Sequence, residues 1–533
     1  MVRPNIILIF ADDLGYGDVS TFNPEAKFQT PNLDRLASLG MKFTDSHATS
    51  ALCTPSRYGL LTGRYNWRSR LKANVIPGDA DALIEYDRKT LAQLLKDQGY
   101  KTAAVGKWHL GLDWVFKAEK DYAAYGLNPD HYPRVDQQTG RDHVFEHSTK
   151  DHWTAIEGLD IDYDQPIRFG PLQLGFDYFF GTPASLDQPP YVYIENDRVL
   201  EKPSVITGKL GIDRTSANDQ RTWQMGPAAP EYMHQEVPVH MQEKVLSLLD
   251  TYLDDQAPFF LYYPMHLVHG PLLPSDDFKG KSGVGFYGDF VLQLDHYVGQ
   301  IMDKLIAAGQ FDNTVFIFTS DNGVSAVSGI DHLRALGHYS SYQFRGEKSD
   351  IWEGGHREPT IISYPAIIAP GTQTAQMVSH SDIYRTIADL IGASLEDQVA
   401  EDSVSNLPLW QGSQDPVRDY IIHSSGTGGF SIRHGYWKLI FVRYGGGMNI
   451  RHRVAQGLDV TDDYAATELY DLRDDLSENH NVIDQHPELV REMTRVLAQF
   501  IQAGRSTPGQ AQANAQPQYQ SWYQVEWIEQ NGR

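Results

Sequence analysis

The sequence predicts an α/β architecture built on a largely parallel sheet, followed by a smaller antiparallel α+β unit. Three observations predict it. Short, continuous apolar runs stop abruptly at polar residues, amphipathic stretches separate those runs, and beyond about residue 395 the runs crowd together with turn residues between them.

Residues 5–10, Asn-Ile-Ile-Leu-Ile-Phe, lack the alternation of a half-exposed strand and read as a strand covered on both faces, ending at Ala11-Asp12-Asp13. Thr30 followed by Pro31 marks a helix start, with Thr30 as its N-cap. A helical stretch at 91–98 precedes the run 101–105, which leads into Gly106-Lys107-Trp108-His109. Another at 240–253 precedes 259–263, which leads to His266 and His269. A third at 290–308 precedes 314–319, followed by Ser320-Asp321-Asn322-Gly323. In open parallel sheets ligands bind beyond the carboxyl ends of the strands, and four predicted strands carry Asp, Lys, His or Asn there.

Residues 112–235 are rich in Tyr, Asp, Pro and Gly and read as a loop-rich insertion walling the sheet; Trp114, Trp153 and Tyr191 are its candidates for stacking on a sugar. Further on, 420–423, 430–433, 437–442 and 468–472 read as antiparallel strands, with a turn at His434-Gly435, and 487–503 as an amphipathic helix. The expected division is a catalytic α/β domain at 1–395, a small α+β domain at 396–505 and an extended tail rich in Gln, Ala and Pro at 506–533.

The 533 residues carry a net charge of −24, which argues against a nucleic-acid partner. A local cluster of cationic groups still accommodates an anion on an acidic protein. No apolar run approaches the roughly 20 residues of a membrane-spanning helix, so no membrane partner is expected. The start lacks the layout of a signal peptide. Cys53 is the one cysteine, so no intramolecular disulfide forms.

Asp12, Asp13, Asp321 and Asn322 offer hard oxygen ligands, which suit calcium or magnesium better than zinc. Adjacent carboxylates on a loop are ordinarily just solvated, so alone this pair says little. The stronger signal is Cys53-Thr54-Pro55-Ser56-Arg57 followed by Leu60-Leu61-Thr62-Gly63-Arg64. It resembles the signature of the formylglycine-dependent, arylsulfatase-like sulfatases of the alkaline phosphatase superfamily. Gly106 to Gly111, Arg345-Gly346-Glu347-Lys348, Trp352-Glu353-Gly354-Gly355 and Glu468 to Leu472, with Glu478 and Asn481, are similar to further elements of that family.

The resemblance implies an alkaline-phosphatase-like fold and a sulfuric ester hydrolase. Cys53, oxidised by a formylglycine-generating maturation enzyme to 3-oxoalanine, would give a hydrate that attacks sulfur in line with the leaving alcohol. Calcium would be held by Asp12, Asp13, Asp321, Asn322 and the Cys53-derived side chain. Arg57 would orient the hydrate and His109 would hydrogen-bond it, Lys107 and Lys348 would neutralise the sulfate, and Lys348 and His269 would protonate the leaving oxygen. His269, two residues before Pro271, matches the family's histidine, and His266 is left to packing. His356 and Arg357 stand where substrate contact or a loop carboxylate are equally open; they are carried as substrate-binding candidates with Lys107, His269 and Lys348.

The stretch from Asp350 to Arg357 resembles sulfatases of polysaccharide-degrading bacteria, which implies a sulfated saccharide substrate and a periplasmic or secreted protein whose export signal lies outside this chain. Two other functions fit parts of the same pattern: a phosphate or phosphonate ester hydrolase of the same superfamily, and a catalytically silent sulfated-glycan binding protein.

Overall fold

The structure is a computed structural model that describes residues 3–128, 156–208, 223–255, 257–447, 466–515 and 528. Its centre is a ten-stranded sheet running, edge to edge, Thr372–Thr374, Met41–Phe43, Thr360–Ser363, Thr314–Ser320, Asn5–Ala11, Phe259–Pro264, Lys101–Lys107, Tyr178–Thr182, Ile194–Glu195 and Arg198–Val199. The five strands from Thr314–Ser320 to Tyr178–Thr182 are mutually parallel. Asn5–Ala11 lies in the middle with every residue buried, which accounts for its unbroken apolar run.

The sheet is mixed rather than simply parallel. Thr360–Ser363 pairs antiparallel with both Thr314–Ser320 and Met41–Phe43, and Ile194–Glu195 pairs antiparallel with Tyr178–Thr182. These strands are short and carry no periodic signal of their own.

Helices flank the sheet. Pro31–Leu39 and Val237–Asp255 both pack on Phe286–Ala307, and Cys53–Thr62 packs on Leu91–Asp97 and Asp382–Ile391. Pro31–Leu39 starts at its proline, but Thr30 does not cap it. The carboxylate of Asp295, from Phe286–Ala307, accepts the amides of Asn32 and Leu33 at 3.0 and 2.8 Å instead. A tertiary carboxylate thus does the work expected of a local hydroxyl.

Tyr420–Ser424, Phe430–His434, Trp437–Ile440 and Glu468–Asp471 form a four-stranded antiparallel sheet, against which Pro487–Ala503 buries Met493, Leu497 and Ile501. This unit is stitched to the large sheet's loops: Ser50 bridges Ser424, and Ala51 donates its amide to the Ser424 carbonyl at 3.0 Å. The tail lies against the fold over its described part, 506–515. Gln512 donates to the Ala503 carbonyl, Ala515 to that of Arg68, and Lys72 Nζ reaches the Ala515 carbonyl at 2.6 Å. Among the described residues no helix is long and apolar enough to cross a membrane.

Candidate active site

The site lies beyond the carboxyl ends of the parallel strands. Asn5–Ala11 delivers Asp12 and Asp13, Thr314–Ser320 delivers Asp321 and Asn322, Lys101–Lys107 delivers Lys107 and then His109, and Phe259–Pro264 leads to His269. Backbone bonds hold these ends in register: Asp12 donates to the Leu267 carbonyl at 2.8 Å and Asp321 to that of Ala11 at 3.0 Å. Asp13 and His109 adopt positive φ, 61° and 54°, as does Ser349 beside Lys348 at 77°. Such conformations cost about 1–3 kcal/mol each in a non-glycine residue and cluster where side chains must be aimed.

Cys53 is the first residue of the helix Cys53–Thr62, which ends at Gly63 in the left-handed conformation (φ 64°). Ser56 Oγ ties the first turn to the Ser50 carbonyl at 2.7 Å. Cys53 Sγ therefore stands at a helix N-terminus, 3.5 Å from Asp12 Oδ1. Ligand atoms of Asp12, Asp13, Cys53 and His269 lie within 4.8 Å of one another, and all four residues are buried.

Cations surround the acids. Lys107 Nζ is 2.7 Å from Asp12 Oδ2, and Lys348 Nζ is 2.7 Å from Asp13 Oδ1. Arg57 Nη2 is 2.7 Å from Asp321 Oδ2 and 3.5 Å from Asp12 Oδ1. His269 Nε2 is 3.6 Å from Asp13 Oδ2. Burial opposes ionisation of Asp12, yet Lys107, His269, Arg57 and Lys348 together hold its carboxyl well below the usual range. Asp321 goes the other way: burial, then the Asp12 charge, push it up to about 7. Burial, then Asp321, raise the Cys53 thiol far above its ordinary range. Burial thus disfavours the thiolate of an unmodified Cys53.

The donor set fits a hard divalent cation. Three carboxylates converge out of water, with Arg57, Lys107 and Lys348 against them, and their hard oxygens suit calcium or magnesium. Asn322 Nδ2 donates to Asp13 Oδ1 at 2.8 Å and to the Gly323 carbonyl at 2.9 Å, while its buried Oδ1 has no hydrogen-bond partner. An orphaned amide oxygen beside three carboxylates is a ready ligand. His109 shows the matching feature for an O–H group. Its Nε2 faces the Ile76 carbonyl at 2.9 Å and so carries the proton, which leaves the buried, unpartnered Nδ1 as an acceptor.

The Sulfatase family model matches residues 4–393. The chain belongs to the sulfatase family. It is a sulfuric ester hydrolase with the family's fold. The sulfatase is 33% identical over 525 residues to an N-acetylgalactosamine-6-O-sulfatase of Bacteroides thetaiotaomicron, covering 93% of this chain and 92% of that one. It is 30% identical over 515 residues to human arylsulfatase A, covering 93% and 87%. A solved structure from work on the metabolism of multiple glycosaminoglycans by Bacteroides thetaiotaomicron superposes with a TM-score of 0.75 at 31% identity, over 94% of this chain and 99% of that one.

Within this sulfatase, Asp12, Asp13, Cys53, Arg57, Lys107, His109, His269, Lys348, Asp321 and Asn322 form one constellation. His266 stands behind it, with Nε2 2.7 Å from Thr182 Oγ1. His356 and Arg357 do not join, and their assignment to substrate binding is corrected. His356 is fully buried, its Nδ1 3.1 Å from His47 Nδ1 and its Nε2 2.9 Å from the Ile351 carbonyl. Arg357 pairs with Glu353 at 3.0 Å and donates to the Thr44 carbonyl at 2.7 Å. Of the two alternatives for Arg357, a carboxylate partner is the one present, because an arginine drawn into the interior needs its charge answered there.

Two of the aromatic candidates are corrected as well. Trp114 and Tyr191 are buried, bonded to the Gly78 and Gln224 carbonyls at 3.2 and 2.7 Å, so neither offers a face to a sugar. Trp153 lies outside the described residues. What the sequence reading missed is the brace on the site from the four-stranded sheet. Ser349, next to Lys348, donates to the Ala51 carbonyl at 2.7 Å and accepts from the Gly426 amide at 2.8 Å. Such backbone contacts leave no residue-type signal.

Proposed function

We propose that this sulfatase removes sulfate from a sulfated saccharide, using a formylglycine derived from Cys53 and a calcium ion held by Asp12, Asp13, Asp321 and Asn322. The observation that carries this reading is the convergence of Cys53 Sγ with Asp12, Asp13 and His269 within 4.8 Å. The unpartnered Asn322 Oδ1 supports the cation. The relatives named above for N-acetylgalactosamine 6-O-sulfate and for glycosaminoglycan metabolism support the saccharide.

When bound, calcium supplies Lewis-acid charge against a sulfate oxygen, and the formylglycine hydrate supplies the attacking oxygen. The chain's own residues do the rest. Arg57, locked on Asp321, holds its guanidinium against the Cys53 position, and His109 Nδ1 accepts a hydroxyl proton there. Lys107 Nζ and Lys348 Nζ, aimed at Asp12 and Asp13, present positive charge where sulfate oxygens gather. Charge preorganised in a dry site is the larger part of such catalysis. Burial, then Lys348, lower the His269 pKa, while Asp13 and Asp12 oppose the shift. Lys348 Nζ, with its pKa raised by Asp13 against the effect of burial, keeps a proton for the leaving oxygen.

The test is the mass of the peptide containing Cys53, together with sulfate release before and after chelation. A mass loss matching thiol to aldehyde, with chelator-sensitive release that calcium restores, is expected. A converted Cys53 with phosphate release and no sulfate release from matched esters would overturn the reading.

A further inference from the structure

A cluster of buried ionisable side chains outside the site described above lies where the four-stranded sheet meets the short helix Glu353–His356. Lys438 Nζ is 3.0 Å from Glu353 Oε1 and 2.9 Å from Glu478 Oε1, and all three side chains are fully buried. Glu478 Oε2 accepts the backbone N–H of Glu353 at 2.6 Å. Arg357 and Arg433 approach Glu353 Oε2 at 3.0 and 3.5 Å, and Arg433 also holds Asp45 at 2.6 Å.

His47, His356 and His423 meet at the same place, a composition that suggests a metal. The ring geometry opposes that. The His356 and His423 rings stack, with centroids 3.9 Å apart and planes 14° from parallel, so their in-plane lone pairs do not converge.

The significance of the network lies in what its helix touches. Gly323, directly after Asn322, donates its amide to the Gly355 carbonyl at 3.1 Å, and Gly354 donates to the Arg345 carbonyl at 2.7 Å. A Cβ on Gly323 would fall 2.0 Å from the Gly354 oxygen, and one on Gly354 would fall 2.4 Å from the Gly346 oxygen. The backbones meet with no room for a side chain. A shift of Glu353–His356 therefore presses on Gly323 beside Asp321 and Asn322, and on Gly346, two residues before Lys348.

We propose that the Glu353–Lys438 pair is a positioning device, through which the four-stranded sheet sets the Gly354-Gly355 turn and with it Asp321, Asn322 and Lys348. Lys438 touches no reacting group; it is a positioning residue. The proposal rests on the reading above for the identity of the cation, but not for the geometry.

The test compares wild type with Lys438→Met, Lys438→Arg and the double variant Lys438→Met/Glu478→Gln, which avoids leaving both acids unanswered should the single variant not fold. Arg68→Met, which breaks the buried Arg68–Asp402 pair (2.7 Å), is the control for simple destabilisation. Each protein with equal Cys53 conversion is measured for thermal midpoint, for kcat and KM on a sulfate ester, and for calcium affinity by titration calorimetry. Loss of Lys438 is expected to lower kcat and weaken calcium about 10- to 100-fold, the usual effect of removing a supporting partner behind a metal site. KM should change little, and Lys438→Arg should recover most of the loss. Arg68→Met should lower the midpoint alone. Lys438 variants that lose only thermal stability, as the control does, would overturn the proposal. A wild type needing no divalent cation would remove the calcium assignment, and kcat would still decide the positioning role.

Discussion

Lys107 Nζ and Asp12 Oδ2 lie 2.7 Å apart with both side chains out of water, on adjoining edges of a site that also gathers Asp13 and Asp321. The ammonium thus answers a carboxylate that the proposed cation would also bind. Lys107→Met is expected to destabilise the metal-free protein by about 3–5 kcal/mol, because it strands a buried charge. Calcium should restore part of that loss. Denaturant unfolding in chelator and in calcium reads both quantities; equal losses in the two would show that Lys107 and the cation do not share Asp12.

Asp321 makes a pH prediction. Its carboxyl sits at about 7 in the fold against 3.8 ordinarily. A raised folded value means the native state holds the proton more tightly, so its contribution is complete below about 4 and is lost as pH rises through about 7. Measured in chelator, the stability of wild type relative to Asp321→Asn should fall across that window, and calcium should flatten the difference. A difference independent of pH in chelator would contradict the assignment.

Lys348 is proposed to carry the leaving-group proton. Lys348→Met should lower kcat/KM on an alkyl sulfate by about 100- to 10,000-fold, the range for general-acid catalysis. The loss should be much smaller on a nitrophenyl sulfate, whose phenolate departs without a proton. Equal losses on the two esters would leave Lys348 with charge neutralisation only.

Tyr191 is a structural residue on this reading. Tyr191→Phe leaves the Gln224 carbonyl unanswered and should cost about 1–3 kcal/mol of stability. KM for a sulfated saccharide should not move. A raised KM at unchanged stability would return Tyr191 to the substrate wall.

The central strands were legible because burial on both faces leaves a continuous apolar run, as at residues 5–10, 259–263 and 314–319. The site was legible to the extent that strand ends carry Asp, Lys, His and Asn, and the Cys53 segment forms a dense motif. Thr360–Ser363 and Met41–Phe43 were not, since a short strand shows no periodicity and its partner is set by the tertiary fold. The pairing of Glu353 with Lys438 escaped for a related reason. A single Glu or Lys is ordinarily a solvated charge, and only the meeting of two distant segments buries this pair. His356 and Arg357 were drawn toward the substrate by adjacency to a motif, although their side chains point into that network.

The strand Asn5–Ala11 sits between Phe259–Pro264 and Thr314–Ser320, so once synthesised it waits for neighbours that begin some 250 and 300 residues later. At roughly 5–20 residues per second of synthesis, that wait is on the order of 10–60 seconds. Mass analysis of ribosome-arrested chains of increasing length would time any modification of Cys53 against it. During this interval that apolar strand has neither neighbour to pair with, and Cys53, sealed in the finished protein, is still open to a modifying enzyme.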